Sequence, residues 1–487
     1  MDSQIENILT FFEQINAIPR CSKHETRLGQ WLKQWAGGHG WQTHMDSAGN
    51  LIVQVPASIG YEDRPEIIIQ GHMDMVCEKT PESPHDFNTD PIVGIVDGDW
   101  LRADRTTLGA DNGIAIAYAM AIAEDTSLAH PPLTLLFTVD EETGLNGVKD
   151  MVPGVLKAKL LINLDSEDEG VFTIGCAGGE DSIITLTPDT APLAQGDAIF
   201  TIVVGGLRGG HSGIDIDKQR GNANKVMARV LTRLQKRCTL RLITVNGGTR
   251  HNAIARDASA QVACPPDAAD QVQQVVAQLA DSIQQELEGV DPDLFITCQI
   301  DATEQKQALT LEESQRIVAL LHTLPHGVAS MSLNLEGLVE TSSNLAVVEI
   351  TPQQCTIHTS QRSAVASRLA DVTAMVHAAA HLAGAQVRDE NQYPPWPPDL
   401  QAPLLRQSKQ TYTRLFSKEP KVEVIHAGLE CAIIGDQYPG MQMISFGPTI
   451  ENPHSPTERL NIPSVEKVWR FLVALLAALE ETPATNA

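Results

Sequence analysis

Ile67-Ile68-Ile69-Gln70-Gly71-His72-Met73-Asp74 is a β-branched run that ends in two chemically active side chains. Three consecutive isoleucines read as a buried strand of a parallel sheet. Side chains alternate along a strand, so His72 and Asp74 face the same way. An imidazole is a good metal ligand, and a carboxylate two residues on could orient it through its second ring nitrogen. The pair also fits an ordinary polar strand end, and the stretch by itself leaves both readings open.

More strands end in acids. Leu133 to Val139 runs into Asp140-Glu141-Glu142-Thr143-Gly144, and Lys159 to Leu164 runs into Asp165. Helical patterns alternate with these runs, which predicts an α/β domain with a mainly parallel sheet and a site at the carboxyl ends of its strands. His72, Asp74, Glu141, Glu142 and Asp165 all fall there. Neighbouring strand residues face opposite sides, so Glu141 and Glu142 serve one site only if the chain has already turned, and Thr143-Gly144 supplies the turn. Crowded carboxylates raise one another's pKa, and a divalent cation removes that cost. Gly113 to Glu124 is apolar nearly all round and predicts a buried helix. Asp111 precedes it in Leu108-Gly109-Ala110-Asp111-Asn112-Gly113, where it could be a helix cap or a ligand.

Residues 1–36 read as helix, turn, helix, with Ser22 and Glu25 fitting a capping box. From about residue 185 the texture changes to strands and long helices of α+β type, until Tyr393-Pro394-Pro395-Trp396-Pro397-Pro398 marks a linker. The α/β pattern then resumes, with His454 in a loop after the strand Gln442 to Phe446 and a last helix from Ser464 to Glu480. The expected division is a catalytic domain in two parts, 1–186 and 396–487, interrupted by an inserted domain, 187–395.

A chain of 487 residues exceeds one ordinary core. The net charge of −26, from 35 basic and 61 acidic residues, argues against nucleic-acid or anionic-membrane partners. No window reads as a membrane span, and the start lacks the pattern of a secretory signal. Eight scattered cysteines without a CxxC read as reduced thiols of a cytoplasmic protein.

Taken in order, Gly71-His72-Met73-Asp74, Leu108 to Gly113, Asp140 to Gly144, Asp165 and His454 resemble the M20 dinuclear zinc peptidases. Ile18-Pro19-Arg20, Asn163-Leu164-Asp165-Ser166-Glu167, Gly209-Gly210-His211-Ser212-Gly213 and His426-Ala427-Gly428-Leu429-Glu430-Cys431 narrow the resemblance to the bacterial aminoacyl-histidine dipeptidases. It covers nearly the whole chain. The sequence departs from the family pattern at Arg105 and Ala432, where glycine is expected.

The resemblance implies two Zn²⁺ per chain, with Co²⁺ or Mn²⁺ as other acceptable ions. His72, Asp111 and Asp165 would bind one, and Asp111, Glu142 and His454 the other, with Asp111 bridging. Asp74 would orient His72, and Glu141 would be the general base for a metal-bridged water. The inserted domain would be a lid whose His211 reaches the oxyanion, with Asn252 and Arg362 contacting substrate. A cis peptide at Asp111–Asn112 and a homodimer are also implied. The expected activity is hydrolysis of Xaa-His dipeptides, β-alanyl-histidine included. An aminoacylase, deacetylase or tripeptidase on the same scaffold is the near alternative, and a catalytically silent metal- or peptide-binding protein the distant one.

Overall fold

The computed structural model describes residues 3–302, 305–333 and 335–479. The N-terminal pair Met1-Asp2 and the expected helix end at Glu480 lie outside the described residues. The chain divides into two compact units: Met1–Cys176 with Trp396–Val424 and Leu429–Ala487, and Ala177–Pro395 with Ile425–Gly428.

The first unit is built on an eight-stranded sheet. In chain order its strands are β1 (Gln42–Met45), β2 (Leu51–Val55), β3 (Ile67–His72), β4 (Leu133–Thr138), β5 (Leu160–Asn163), β6 (Val171–Cys176), β7 (Lys421–Ile425) and β8 (Gln442–Ser445). In space they run β1-β2-β4-β3-β5-β8-β6-β7. The centre, β4-β3-β5-β8, is parallel. The margins are antiparallel, β1 on β2, β2 on β4 and β6 on β8. The parallel centre is apolar on both faces, as a covered sheet requires.

Three helices matter for the site: α1 (Ser3–Asn16), α2 (Thr26–Gly38) and α3 (Ala110–Glu124). Ile114 to Ala123 are all buried, which explains the absence of a polar face on α3. This helix packs against β3 at Gly71, where a Cβ would stand 2.5 Å from Asn112 Oδ1 and 2.6 Å from the Ala115 Cβ. A second, four-stranded sheet pairs Trp100–Arg102 with Ile95–Asp97 on one side and with Arg459–Asn461 on the other, and Arg459–Asn461 pairs in turn with Ile450–Glu451.

The second unit has one large antiparallel sheet. Its strands in spatial order are Phe295–Ile300, Ala198–Gly205, Ala258–Cys264, Arg241–Gly247, Val339–Ile350, Cys355–Ser363, Gly178–Leu186 and Gln386–Tyr393. Ala223–Gln235, Ala269–Leu287 and Leu311–Thr323 contribute to the apolar core over it. This unit begins at Ala177, ten residues before the expected boundary at 187, because Gly178–Leu186 is paired on both sides within its sheet. It also takes Ile425–Gly428 out of the expected second catalytic part. Ile425 O accepts from Ala177 N at 3.0 Å, and His426 Nε2 meets Ser342 Oγ at 2.7 Å.

Two local expectations are corrected. Ser22 and Glu25 form no capping box: Glu25 makes no side-chain cap on α2, and its Oε1 accepts from Lys23 N and Asp140 N. Nor are all eight cysteines thiols, because Cys21 and Cys77 form a disulfide across 56 residues. A parallel bridge between Cys21 and Met75 lays the two segments side by side, a contact that sequence spacing does not announce. Among the described residues no helix is long and apolar enough to cross a membrane.

Candidate metal centre

The carboxyl ends of β3, β4 and β5 gather the expected acids. His72 ends β3; its Nε2 lies 3.0 Å from Asp111 Oδ1 and 3.5 Å from Asp165 Oδ1. His454 arrives from the loop after β8 and places Nε2 3.0 Å from Asp111 Oδ2 and 3.0 Å from Glu142 Oε2. Asp111 therefore presents one oxygen to each histidine. Its peptide bond to Asn112 is cis, as the resemblance implies. His72, Asp111 and Asp165 form one group whose ligand atoms lie within 4.8 Å of one another, and Asp111, Glu142 and His454 form another. Glu141 joins His72 and Glu142 in a third.

Asp74 organises this edge. Its Oδ1 is 3.3 Å from His72 Nδ1, and Ser22 Oγ donates to its Oδ2 at 2.8 Å. The backbone N–H groups of Glu141 and Glu142 donate to the same carboxylate at 3.1 and 3.2 Å. Both glutamates serve one edge because the chain has left strand geometry at Asp140, whose φ is +50°. The turn is then closed by Leu145 N donating to Glu141 O at 2.8 Å.

Several residues that hold the site stand in the quoted motifs but carry no role there. Arg20, 1% exposed, donates to Met73 O and Asp74 O at 3.1 Å each and to Gly109 O at 2.6 Å, joining the loop after β3 to the start of α3. Asn112 Oδ1 accepts from His72 N at 3.2 Å while its Nδ2 donates to Leu164 O at 2.8 Å. Glu430, fully buried, accepts from Gln70 Nε2 at 2.5 Å and Thr138 Oγ1 at 2.7 Å, so one carboxylate links β3 and β4. The sequence places these three in motifs without saying what they hold. Their partners are 40 to 360 residues away.

The electrostatics are those of a cation site. Burial pushes Glu142 up to about 7, with Asp111 adding to it. Burial likewise raises Glu141 well above the usual range, with Glu142 and Asp165 as further causes. It also raises Glu167 to about 8. Burial opposes the charged forms of His454 and His72 as well, yet the carboxylates outweigh it. His454 rises to about 11 beside Asp111 and Glu142, and His72 rises well above its ordinary value beside Asp165, Asp111 and Asp74. Nitrogen and oxygen donors of this kind suit a divalent transition ion. Four carboxylates, Asp111, Glu141, Glu142 and Asp165, match the charge of two such ions. Glu142 Oε1 is buried and has no hydrogen-bond partner among the described residues, an orphan acceptor that a cation would satisfy.

The remaining expected residues belong to the second unit. Gly213 N and Ile214 N donate to His211 Nδ1 at 3.2 Å each, which places the ring proton on Nε2. Asn252 has an exposed side chain, and its carbonyl accepts from Ser212 N at 2.8 Å. Arg362 is 9% exposed, and its Nη1 donates to Tyr393 Oη at 2.7 Å. Arg362 is register partner to Ser342, the residue hydrogen-bonded to His426. His426, which sequence reasoning quoted but gave no role, is lowered to about 3 by burial together with Arg362 and His211.

The chain resembles known proteins over nearly its whole length. The chain is 40% identical over 473 residues to the cytosol non-specific dipeptidase of Escherichia coli, covering 97% of each. Its structure is similar to aminoacylhistidine dipeptidase from Vibrio alginolyticus, with a TM-score of 0.88, 38% identity, and 98% and 97% of the two chains covered. Aminopeptidase PepT from Bacillus cereus shares the fold at a TM-score of 0.57 and 15% identity, over 97% and 98% of the chains. Residues 68–478, which hold every proposed ligand, match the peptidase family M20/M25/M40, and the chain, a hydrolase, belongs to that family.

Proposed function

We propose that this protein is a dinuclear zinc dipeptidase that cleaves Xaa-His dipeptides, β-alanyl-histidine among them. The observation that carries the reading is Asp111, whose two oxygens face two different histidines, each with a further carboxylate beside it. His72, Asp111 and Asp165 hold one ion, and Asp111, Glu142 and His454 hold the other. Co²⁺ or Mn²⁺ can replace zinc on the same donors. When bound, such ions polarise the scissile carbonyl and lower the pKa of water.

The chain's own residues do the rest. Glu141 takes the proton of the attacking water and hands it to the leaving amine. Asp74 fixes the orientation of His72 through Nδ1. His211 donates from Nε2 to the oxyanion of the tetrahedral intermediate. Arg362 pairs with the C-terminal carboxylate of the dipeptide, and Asn252 contacts its backbone. The histidine preference is supported by the similarity to the Vibrio alginolyticus aminoacylhistidine dipeptidase.

A cytoplasmic location is supported by the name of the Escherichia coli relative. In that compartment Cys21 and Cys77 would be thiols, so counting reactive thiols with and without reductant tests it. A homodimer is the expected assembly, measurable by light scattering. The deciding experiment is hydrolysis of β-Ala-His, Gly-His, Ala-His, Leu-Leu and N-acetyl-Met, before and after chelation and zinc add-back. Zinc-restored cleavage of the Xaa-His members is expected. Cleavage of only Leu-Leu or N-acetyl-Met would overturn the histidine preference, and no turnover by a zinc-loaded protein would overturn the dipeptidase reading.

A further inference from the structure

Helix α3 opens on a kink, with Asp111 and Asn112 in non-helical φ/ψ, and no side chain at its first residues caps it. The residue before it is Gly109, which has no side chain to offer, and Asp111 turns its carboxylate to His72 and His454 instead. The backbone N–H groups of such an irregular entry need an acceptor when they are buried. Here the acceptor comes from far along the chain. Glu458 Oε2 accepts from Leu108 N at 2.7 Å and Gly109 N at 2.9 Å. Its Oε1 accepts from Ala110 N at 2.8 Å and Asp111 N at 3.3 Å. One carboxylate thus collects four consecutive amides, and Glu458 is only 2% exposed.

Two further features fix this arrangement. Arg459 and Leu460 pair with Arg102 and Leu101, which delivers Glu458 to the chain just before Leu108. Arg20 grips the same turn from the other side through Gly109 O. Burial lowers the Arg20 guanidinium to about 10, and Glu458 is the foremost charge opposing that. Glu458 also lies four residues after His454, so the loop that supplies one ligand clamps the backbone of another.

We propose that Glu458 is a positioning residue for the metal pair: by capping Leu108 to Asp111 it frees the Asp111 carboxylate to bridge, and it locks Asp111 and His454 into one unit. This rests on the reading of Asp111 as a bridging ligand. In E458Q the side-chain amide would point N–H groups at backbone donors, and in Glu458→Asp the carboxylate would fall a methylene short. Neither change touches a ligand directly.

The test is titration of Co²⁺ or Zn²⁺ into metal-stripped wild type, E458Q, E458D and a control, Tyr118→Phe. The control removes a buried hydrogen bond from α3 to Val465 O, away from the ligands. E458Q is expected to bind the ions about 10- to 100-fold more weakly, in the range of outer-sphere substitutions at metal sites. E458D should lie between it and wild type. Added zinc should raise the kcat of E458Q at concentrations that saturate wild type, with KM unchanged. Tyr118→Phe should lower Tm and leave metal affinity alone. Wild-type affinity in a folded E458Q, or a loss no larger than that of Tyr118→Phe, overturns the proposal; should E458Q prove insoluble, E458D decides by the same measure. If wild type itself bound no ions, the bridging reading would fall with it, an outcome distinct from two bound ions in every variant.

Discussion

The candidate metal centre and the polar group around His211 and Arg362 draw on partners at different distances along the chain. At the metal centre the partners come from across the chain: Asp111 meets His72 over 39 residues and His454 over 343. Asp74 alone is held by Ser22, Glu141 and Glu142 from two other segments. In the second unit His211 meets Gly213, Ile214 and Asp215 within four residues and pairs with Ala253 on the neighbouring strand, and Arg362 meets Tyr393 31 residues on. Long-range cross-links make a rigid frame suited to fixed charges. At His211 the ring nitrogen Nδ1 is held by the residue's own turn. The first arrangement fits bond-breaking chemistry and the second fits recognition and late stabilisation of charge.

The largest test of that contrast is Glu141→Ala. It should cut kcat by about 10²- to 10⁴-fold while both ions stay bound. Loss of metal together with activity would make Glu141 part of the ligand frame. Next is His211→Ala, expected to lower kcat by about 10²- to 10³-fold with metal content unchanged. An unaltered kcat would strip the second unit of any role in the chemistry. Arg362→Ala should raise KM for free dipeptides by about 10- to 100-fold, the scale of one lost charge-assisted pair. C-terminally amidated substrates should be nearly indifferent to it, and an equal effect on both would remove the carboxylate contact.

The smallest effect concerns the frame itself. Burial raises Glu430 to about 8 from a usual value of 4.5. In metal-stripped protein the folded state therefore keeps this proton across a window in which the unfolded chain has released it. Stability contributed by the protonated group is present below about pH 4.5 and is lost as pH rises toward 8. Glu430→Gln should flatten that part of the decline in Tm, and an unchanged slope would show that the Glu430 proton is not the cause.

The contrast also explains what could be read from sequence. His72, Glu141, Glu142 and Asp165 were legible because each follows an apolar run, and a strand end is a place that periodicity locates. Asp111 was ambiguous between cap and ligand because both readings need an acid before a helix. The approach of His72 and His454 favours the ligand reading. Ser22 and Glu25 look like a capping box, yet both are drawn to partners in other segments. The Cys21–Cys77 disulfide, the four-amide clamp of Glu458 and the capture of Ile425–Gly428 by the second unit depend on contacts between remote segments. Local pattern carries no record of such contacts.

The span from Asp111 to His454 has a consequence for biosynthesis. A ribosome completes His72 and Asp111 long before it reaches the last ligand, 343 residues later. At about 5–20 residues per second that interval is roughly 20 to 70 s. If the proposed ligands hold, the paired set is incomplete throughout it, because the second ion would have neither His454 nor Glu458 in place. On the proposed assignment the second ion's place forms only when the loop carrying His454 folds back onto the start of α3.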